Sequence, residues 1–198
     1  MKISKGWITA IIVVVVLILF VSWGTSIYNH LVNKEETVNQ QWANVENVYQ
    51  RRTDLIPNLV ATVKGVANFE KSTLTAVIEA RAKATSVNIN PKNLDEASLG
   101  RFQSAQDGLS SALARLMVVV ENYPQLKATQ NFSDLQAQLE GTENRITVER
   151  RNFNEVAQNY NAYVRKFPVN IIAGMTGFTQ KAYFKAQAGA EKAPKVEF

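Results

Sequence analysis

From Gly6 to Asn29 the chain carries no charged residue, and no other feature narrows its possible folds as much. Within this stretch lies the run Ile8-Thr9-Ala10-Ile11-Ile12-Val13-Val14-Val15-Val16-Leu17-Ile18-Leu19-Phe20-Val21. Together with its flanks it is long enough, as a helix rising about 1.5 Å per residue, to cross the ~30 Å hydrocarbon core of a bilayer. Trp7 and Trp23 bracket the run and Tyr28 follows it, as expected where amphipathic rings settle at the two membrane interfaces. A cleaved signal peptide is the competing reading. Against it, the apolar stretch exceeds a usual h-region, and Val21-Ser22-Trp23 is too bulky for a small-residue cleavage site. Residues 1–29 are therefore expected to be a retained membrane anchor, with Trp7, Phe20, Trp23 and Tyr28 marking its span and belt.

Lys2 and Lys5 precede the span, whereas Lys34 follows it beside Glu35 and Glu36. Counting cations near the span places the N-terminus in the cytoplasm and the bulk of the chain on the extracytoplasmic side. The formal net charge of +5 is unevenly held. Between the span and Val164, bases and acids nearly cancel. The surplus lies at the two ends: Lys2 and Lys5 at one, and at the other Arg165, Lys166, Lys181, Lys185, Lys192 and Lys195, opposed by Glu191 and Glu197. Cations on the ends of a chain suit an anionic lipid surface or a partner protein better than nucleic acid, which calls for a clustered basic face.

The chain has no cysteine and one histidine, His30. Disulfides, thiolate nucleophiles and Cys-ligated metals are thereby excluded. There is no phosphate-binding loop, no H-E-x-x-H and no G-x-S-x-G, and the Glu-x-x-His signature of helical di-metal proteins is missing. Neither cofactor nor catalytic site is expected. His30 reads as a plain residue at the foot of the span.

Beyond the anchor, apolar residues recur at intervals of three and four, without strand-like alternation, so the fold class is all-α. The clearest helix covers residues 133–167. Its seam reads Phe132, Leu139, Ile146, Phe153, Tyr160, Phe167, with Leu135, Thr142, Glu149, Val156 and Tyr163 alongside. Such a seven-residue repeat makes a continuous stripe for helix packing. Ser133, with Gln136 three residues on, reads as its N-cap, and Pro168 ends it. A second helix covers residues 94–122 through Phe102, Leu109, Leu116 and Tyr123. Residues 85–93 form a loop.

Residues 31–84 are also helical, through Leu31, Val38, Trp42, Val45 and Tyr49, then Leu59, Val63, Val66, Leu74, Val77 and Ile78. At Arg51-Arg52-Thr53-Asp54-Leu55-Ile56-Pro57, cations in a last turn, an Asp cap and a Pro in a first turn favour one helix stopping and another starting. One long helix kinked at Pro57 is the alternative, because the apolar spacing runs through without a phase break. The favoured division gives an antiparallel four-helix bundle, with helices near 31–52, 55–84, 94–122 and 133–167. The domains are then an anchor (1–29), a bundle (30–167) and a tail (168–198), apolar first and then basic.

With these segments in place the chain resembles the LemA family. The likeness is carried by Trp42-Ala43-Asn44-Val45-Glu46-Asn47, by Tyr49-Gln50-Arg51-Arg52-Thr53-Asp54-Leu55-Ile56-Pro57-Asn58-Leu59-Val60, and by Glu79-Ala80-Arg81. It continues in Leu139-Glu140-Gly141-Thr142-Glu143-Asn144-Arg145-Ile146, Glu149-Arg150-Arg151 and Phe167-Pro168-Val169-Asn170-Ile171-Ile172-Ala173-Gly174. The resemblance implies a bacterial inner-membrane protein with a short N-terminal span and a bromodomain-like up-and-down bundle. It implies no established catalytic activity. Family descriptions differ on which side of the membrane the bundle lies.

Two groups of residues are candidates for function. Arg52 and Glu149, with Thr142, fall at seam positions, while Glu143, Arg145, Arg150, Arg151 and Arg115 lie near the same stripes. They read as a structural polar layer, Arg52 paired with Glu149, or as a ligand pocket. Ile171, Ile172, Met175 and Phe178, followed by Lys181 and Lys185, read as a membrane or partner contact, or as a segment laid across a groove of the bundle. The expected activity is binding: a membrane-associated scaffold or assembly factor that self-associates or joins another membrane protein, alternatively a sensor whose bundle takes a ligand.

Overall fold

The computed structural model describes residues 5–65 and 69–186. Lys2, Val66 and the tail residues Glu191, Lys192, Lys195 and Glu197 lie outside them. The described residues are helical, with no strand: α1 (Lys5–Lys64), α2 (Lys71–Ser86), a 3-10 turn (Pro91–Asn93), α3 (Glu96–Val120), α4 (Pro124–Lys127), α5 (Gln130–Val164) and α6 (Val169–Thr176). α1 and α5 pack along each other, α2 pairs with α3, and α1 also touches α2 and α6. Following α1, α2, α3 and α5 in turn, the chain runs away from the apolar foot, back, away and back again. This is the expected all-α antiparallel bundle.

One boundary is corrected. The chain does not turn at Arg51–Pro57: α1 is a single helix of 60 residues with Pro57 inside it, about 90 Å long at ~1.5 Å per residue. Proline has no N–H, so the carbonyl four residues back loses its ladder partner. That carbonyl belongs to Thr53, and it is taken by a side chain of another helix: Arg81 Nε of α2 donates to it at 2.8 Å. The Thr53 hydroxyl meanwhile donates to the Gln50 carbonyl at 2.8 Å. Pro57 itself faces outward, while Ile56 and Leu59 on either side are fully buried. Signals that usually end a helix are overridden by packing on one side and a borrowed donor on the other.

The break comes instead after Lys64. The expected helix over residues 55–84 thus divides, its first part closing α1 and its second forming α2. α3 lies close to expectation, and the Asp95 carboxylate caps it by accepting from the Ser98 N–H at 2.7 Å. That bond holds the Asp95 carboxyl below its ordinary pKa.

α5 begins at Gln130, earlier than the Ser133 cap. Ser133 N–H already bonds the Thr129 carbonyl at 3.1 Å, because Phe132 is drawn into the core. The helix also ends sooner, at Val164. Phe132, Leu139, Ile146, Phe153 and Tyr160 of its seam are buried, but Phe167 lies past the end and is 81% exposed.

Arg81→Met is expected to lower the unfolding free energy by about 1–3 kcal/mol, the cost of a lost hydrogen bond to a buried carbonyl. Pro57→Ala restores an N–H for Thr53, so in that background the same Arg81 substitution should cost clearly less. Denaturant unfolding of the four proteins measures the coupling. Equal costs in both backgrounds would show that Arg81 does not compensate for the proline.

Candidate functional site

Buried apolar side chains fall into two clusters. The lower one, towards the apolar foot, includes Leu31, Val38, Trp42, Tyr49, Phe102, Ile146, Phe153 and Tyr160. The upper one includes Ile56, Leu59, Val63, Leu74, Leu109, Leu116, Phe132 and Leu139. Each long helix changes cluster across a polar position. Arg52 and Thr53 lie between Tyr49 and Ile56, Gln106 between Phe102 and Leu109, and Thr142 between Leu139 and Ile146; all four are buried.

Arg52 organises this layer. Its Nη1 donates to Glu143 Oε2 and to Ser110 Oγ, both at 2.8 Å. Its Nη2 donates to Gln106 Oε1 at 2.7 Å and to the Gln106 carbonyl at 3.2 Å. Gln106 Nε2 passes the chain on to the Ala84 carbonyl at 3.3 Å. One guanidinium thereby links α1, α3 and α5 directly, and α2 through Gln106. The planar donor fork suits this, since several acceptors can be met at fixed angles. The Arg52 plane also lies 5.1 Å from the Tyr49 ring centre.

The expected Arg52–Glu149 pair is not formed. Glu149 lies nearly two turns further along α5, level with the lower cluster, where it accepts from Gln41 Nε2 at 2.6 Å. The ion pair falls to Glu143, half-exposed at the bundle surface, because Glu143 shares the level of Thr142 in the polar layer. Arg115, Arg145 and Arg151 are exposed, so the layer is built on one arginine. Arg150 instead donates to the Lys185 carbonyl at 2.7 Å and lies 4.9 Å over the Phe184 ring.

The segment after α6 enters the bundle. Residues 178–186 run as an irregular strap beside α1, α3 and α5. Asn161 of α5 grips Lys181, its amide donating to the carbonyl at 2.7 Å and its oxygen accepting from the N–H at 2.8 Å. Asn154 does the same for Phe184, at 2.9 and 2.8 Å. Ala182 N–H bonds the Leu94 carbonyl at 2.8 Å. Phe184 is buried, stacked 6.1 Å from Trp42 and edge-on to Phe153 at 5.4 Å.

This placement corrects the idea of Lys181 as a headgroup contact. It is 3% exposed, and its Nζ pairs with Glu35 at 2.8 Å and bonds the Lys92 carbonyl. Lys185 is exposed but engaged by Glu96 of α3. Burial, with the Glu35 charge nearby, pushes the Tyr160 hydroxyl above its ordinary pKa. Phe178 packs against the lower core and edge-on to Tyr28, at 5.7 Å.

At the foot of the bundle, α6 lies beside α1. Val169 and Ala173 are buried beneath it, Ile172 is partly so, and Ile171 and Met175 are 53% and 83% exposed. Gly177 closes α6 at φ 83°, a left-handed position that suits glycine, and the Phe178 N–H bonds the Ala173 carbonyl at 3.0 Å. The stretch of α1 from Gly6 is long and apolar enough to cross a membrane, and the protein leaves it uncovered. Trp7, Phe20, Trp23 and Tyr28 are all exposed. His30 lies near Tyr163, their rings 6.2 Å apart. Among the described residues no group of three His, Asp or Glu side chains is placed to hold a metal.

Glu143→Ala is expected to cost about 1–3 kcal/mol, because Arg52 stays buried after losing its carboxylate; the half-exposure of Glu143 keeps this below the full penalty for a broken buried pair. Glu149→Ala should cost about 1 kcal/mol or less, since its half-buried carboxylate accepts from two neutral side-chain amides, Gln41 at 2.6 Å and Asn152 at 3.4 Å, and leaves no charge unpaired. Urea titrations of the two variants test the ranking, and the reverse order would restore Glu149 as the partner that matters.

A model of the family described as "LemA family" matches residues 41–198. The chain is 28% identical over 185 residues to "Magnetosome protein MamQ" of Magnetospirillum gryphiswaldense, covering 85% of this chain and 68% of that protein. It is 26% identical over 209 residues to "Magnetosome protein MamQ 1" of Paramagnetospirillum magneticum, covering 96% and 77%. To "Protein LemA" of Metamycoplasma hominis it is 23% identical over 158 residues, covering 80% and 68%. The matched span takes in the Arg52 layer, the strap and α6, and the chain belongs to the LemA family.

Proposed function

We propose that this protein is a membrane-anchored, non-catalytic scaffold, which holds a stiff helical bundle at the surface of the bacterial cytoplasmic membrane and works by binding other proteins or copies of itself. The observation that carries this reading is the continuity of α1. The uncovered apolar foot and the bundle helix are one element, with no linker between them. A flexible tether would let a domain search; a shared helix fixes its height and tilt, which suits assembly. The Arg52 layer adds to this, since a buried charge whose Nη acceptors meet it in a single register opposes sliding of the helices that supply them. The likeness to proteins named for the magnetosome supports membrane association. The lysines ahead of the span support an N-terminus in the cytoplasm and a bundle outside it.

A cleft of about 300 Å³ between α1, α2 and α3 favours a second reading, in which the bundle senses a small polar ligand. Glu46, Gln50, Thr53, Asn88 and Gln106 line it, next to the Arg52 network. Partial burial lifts the Glu46 carboxyl above its ordinary pKa.

Light scattering of the full-length protein in detergent separates the two. The scaffold reading expects a defined assembly of several chains with an unchanged melting temperature across a panel of small polar metabolites. A monomer whose melting temperature rises with one of them would favour the sensor.

A further inference from the structure

The apolar face left open at the foot of the bundle has a shape and a level of its own. Between α6 and α1 there is a notch of about 590 Å³, walled by Phe20, Trp23 and Tyr28 on one side and by Pro168, Ile171 and Met175 on the other. A side chain added at Gly24, which also lines the notch, would meet nothing within 4 Å, so the space is open rather than filled by packing. α6 carries no charge, and it is apolar on both sides: Val169 and Ala173 seat it on the bundle, while Ile171 and Met175 point away. Phe167, just ahead of it, is 81% exposed. Isolated exposed apolar residues are ordinary, but a contiguous group beside a notch calls for a covering partner.

We infer that α6 is a second membrane element, lying in the interface of the leaflet next to the bundle, and that the notch between α6 and α1 takes a phospholipid acyl chain. This rests on the reading of α1 as the membrane anchor. The occupant follows from continuity and charge. The notch lies level with Phe20 to Tyr28, where the apolar stretch of α1 runs out, so the lipid that surrounds the span continues directly into it. Arg165 and Lys166, both exposed, immediately precede the apolar group, placing cations where headgroup phosphates meet the acyl boundary. A helix apolar on its outer side with cations at its edge is built to lie in that boundary. Phe178 on Tyr28 and the Gly177 turn hold α6 against α1, so the two enter the leaflet together.

The absence of cysteine from the chain makes the test direct. Single-cysteine variants Ile171→Cys, Met175→Cys, Leu17→Cys (span) and Ser111→Cys (exposed on α3) of the full-length protein are labelled with a polarity-sensitive fluorophore. Each is placed in phosphatidylcholine–phosphatidylglycerol vesicles carrying nitroxide near the headgroup or near the chain end. Labels at 171 and 175 should lose fluorescence chiefly to the nitroxide near the headgroup, the label at 17 chiefly to the one near the chain end, and the label at 111 to neither. If the label at 17 responds but those at 171 and 175 are quenched only by aqueous iodide, α6 stands in water; the inference fails and the anchor survives. If 171 and 175 are shielded from both nitroxide and iodide, a protein covers them, and lipid is not the occupant. If the label at 17 is itself quenched by iodide, the anchor reading fails, and the inference with it.

Discussion

The architecture depends on one carbonyl group. Thr53 sits four residues before Pro57, inside the last quarter of the longest helix, and proline leaves its oxygen without a ladder partner. An interior proline costs a helix about 3 kcal/mol or more, enough to favour a turn if nothing offsets it. Arg81 reaches across from α2 and supplies the missing donor. The helix therefore stays whole where its local sequence asks for an end. Because it stays whole, the apolar foot and the far end of the bundle belong to one rod, and the bundle's position follows from the rod's. The same bond also places α2 against α1 at a fixed height, so continuity and tertiary register are set together.

The second constraint lies a single residue away. Arg52 is buried between two apolar clusters; both of its Nη groups are met by acceptors from α3 and α5, while its Nε has no partner. Burying a guanidinium gains little net stability, since desolvation offsets much of the attraction. What such a layer does is penalise alternatives: shifting α1, α3 or α5 by a turn would bury the charge without some of its acceptors. A bundle built only from seven-residue apolar seams would tolerate such slips more readily. The strap plays the corresponding role at the lower end, where Asn154 and Asn161 each hold one backbone unit through both amide positions. These contacts bring Phe184 onto Trp42 and complete a core that three helices leave open.

Much of this could be read from residue spacing. The charge-free run and its aromatic flanks marked the foot, and Phe132 to Tyr160 marked the buried side of α5, because both depend on local pattern alone. Arg52 was visible as a polar residue on an apolar seam. Its partner was not, since Glu143 and Glu149 differ by less than two turns of one helix and only the crossing of α1 and α5 chooses between them. The course of the chain at Pro57 was hidden for a similar reason: the donor that rescues it comes from Arg81, in a helix whose docking no local rule foresees. Lys181 misled because an apolar patch followed by cations resembles a membrane contact. Its burial depends on Glu35, 146 residues earlier. Phe184 gave no periodic signal, for the strap that carries it is irregular.

The most direct test of this account is a distance along α1. Nitroxide labels at Ser26→Cys and Ala61→Cys, both exposed, are introduced into the full-length protein in lipid nanodiscs and measured by pulsed electron resonance. An unbroken rod gives one narrow distribution near ~50 Å, set by the rise of about 1.5 Å per residue. A chain that ended one helix at Arg52 and turned back from Leu55 would bring the labels to roughly 30 Å by the same rise, and a broad or short distribution would contradict the single helix on which the bundle's placement depends.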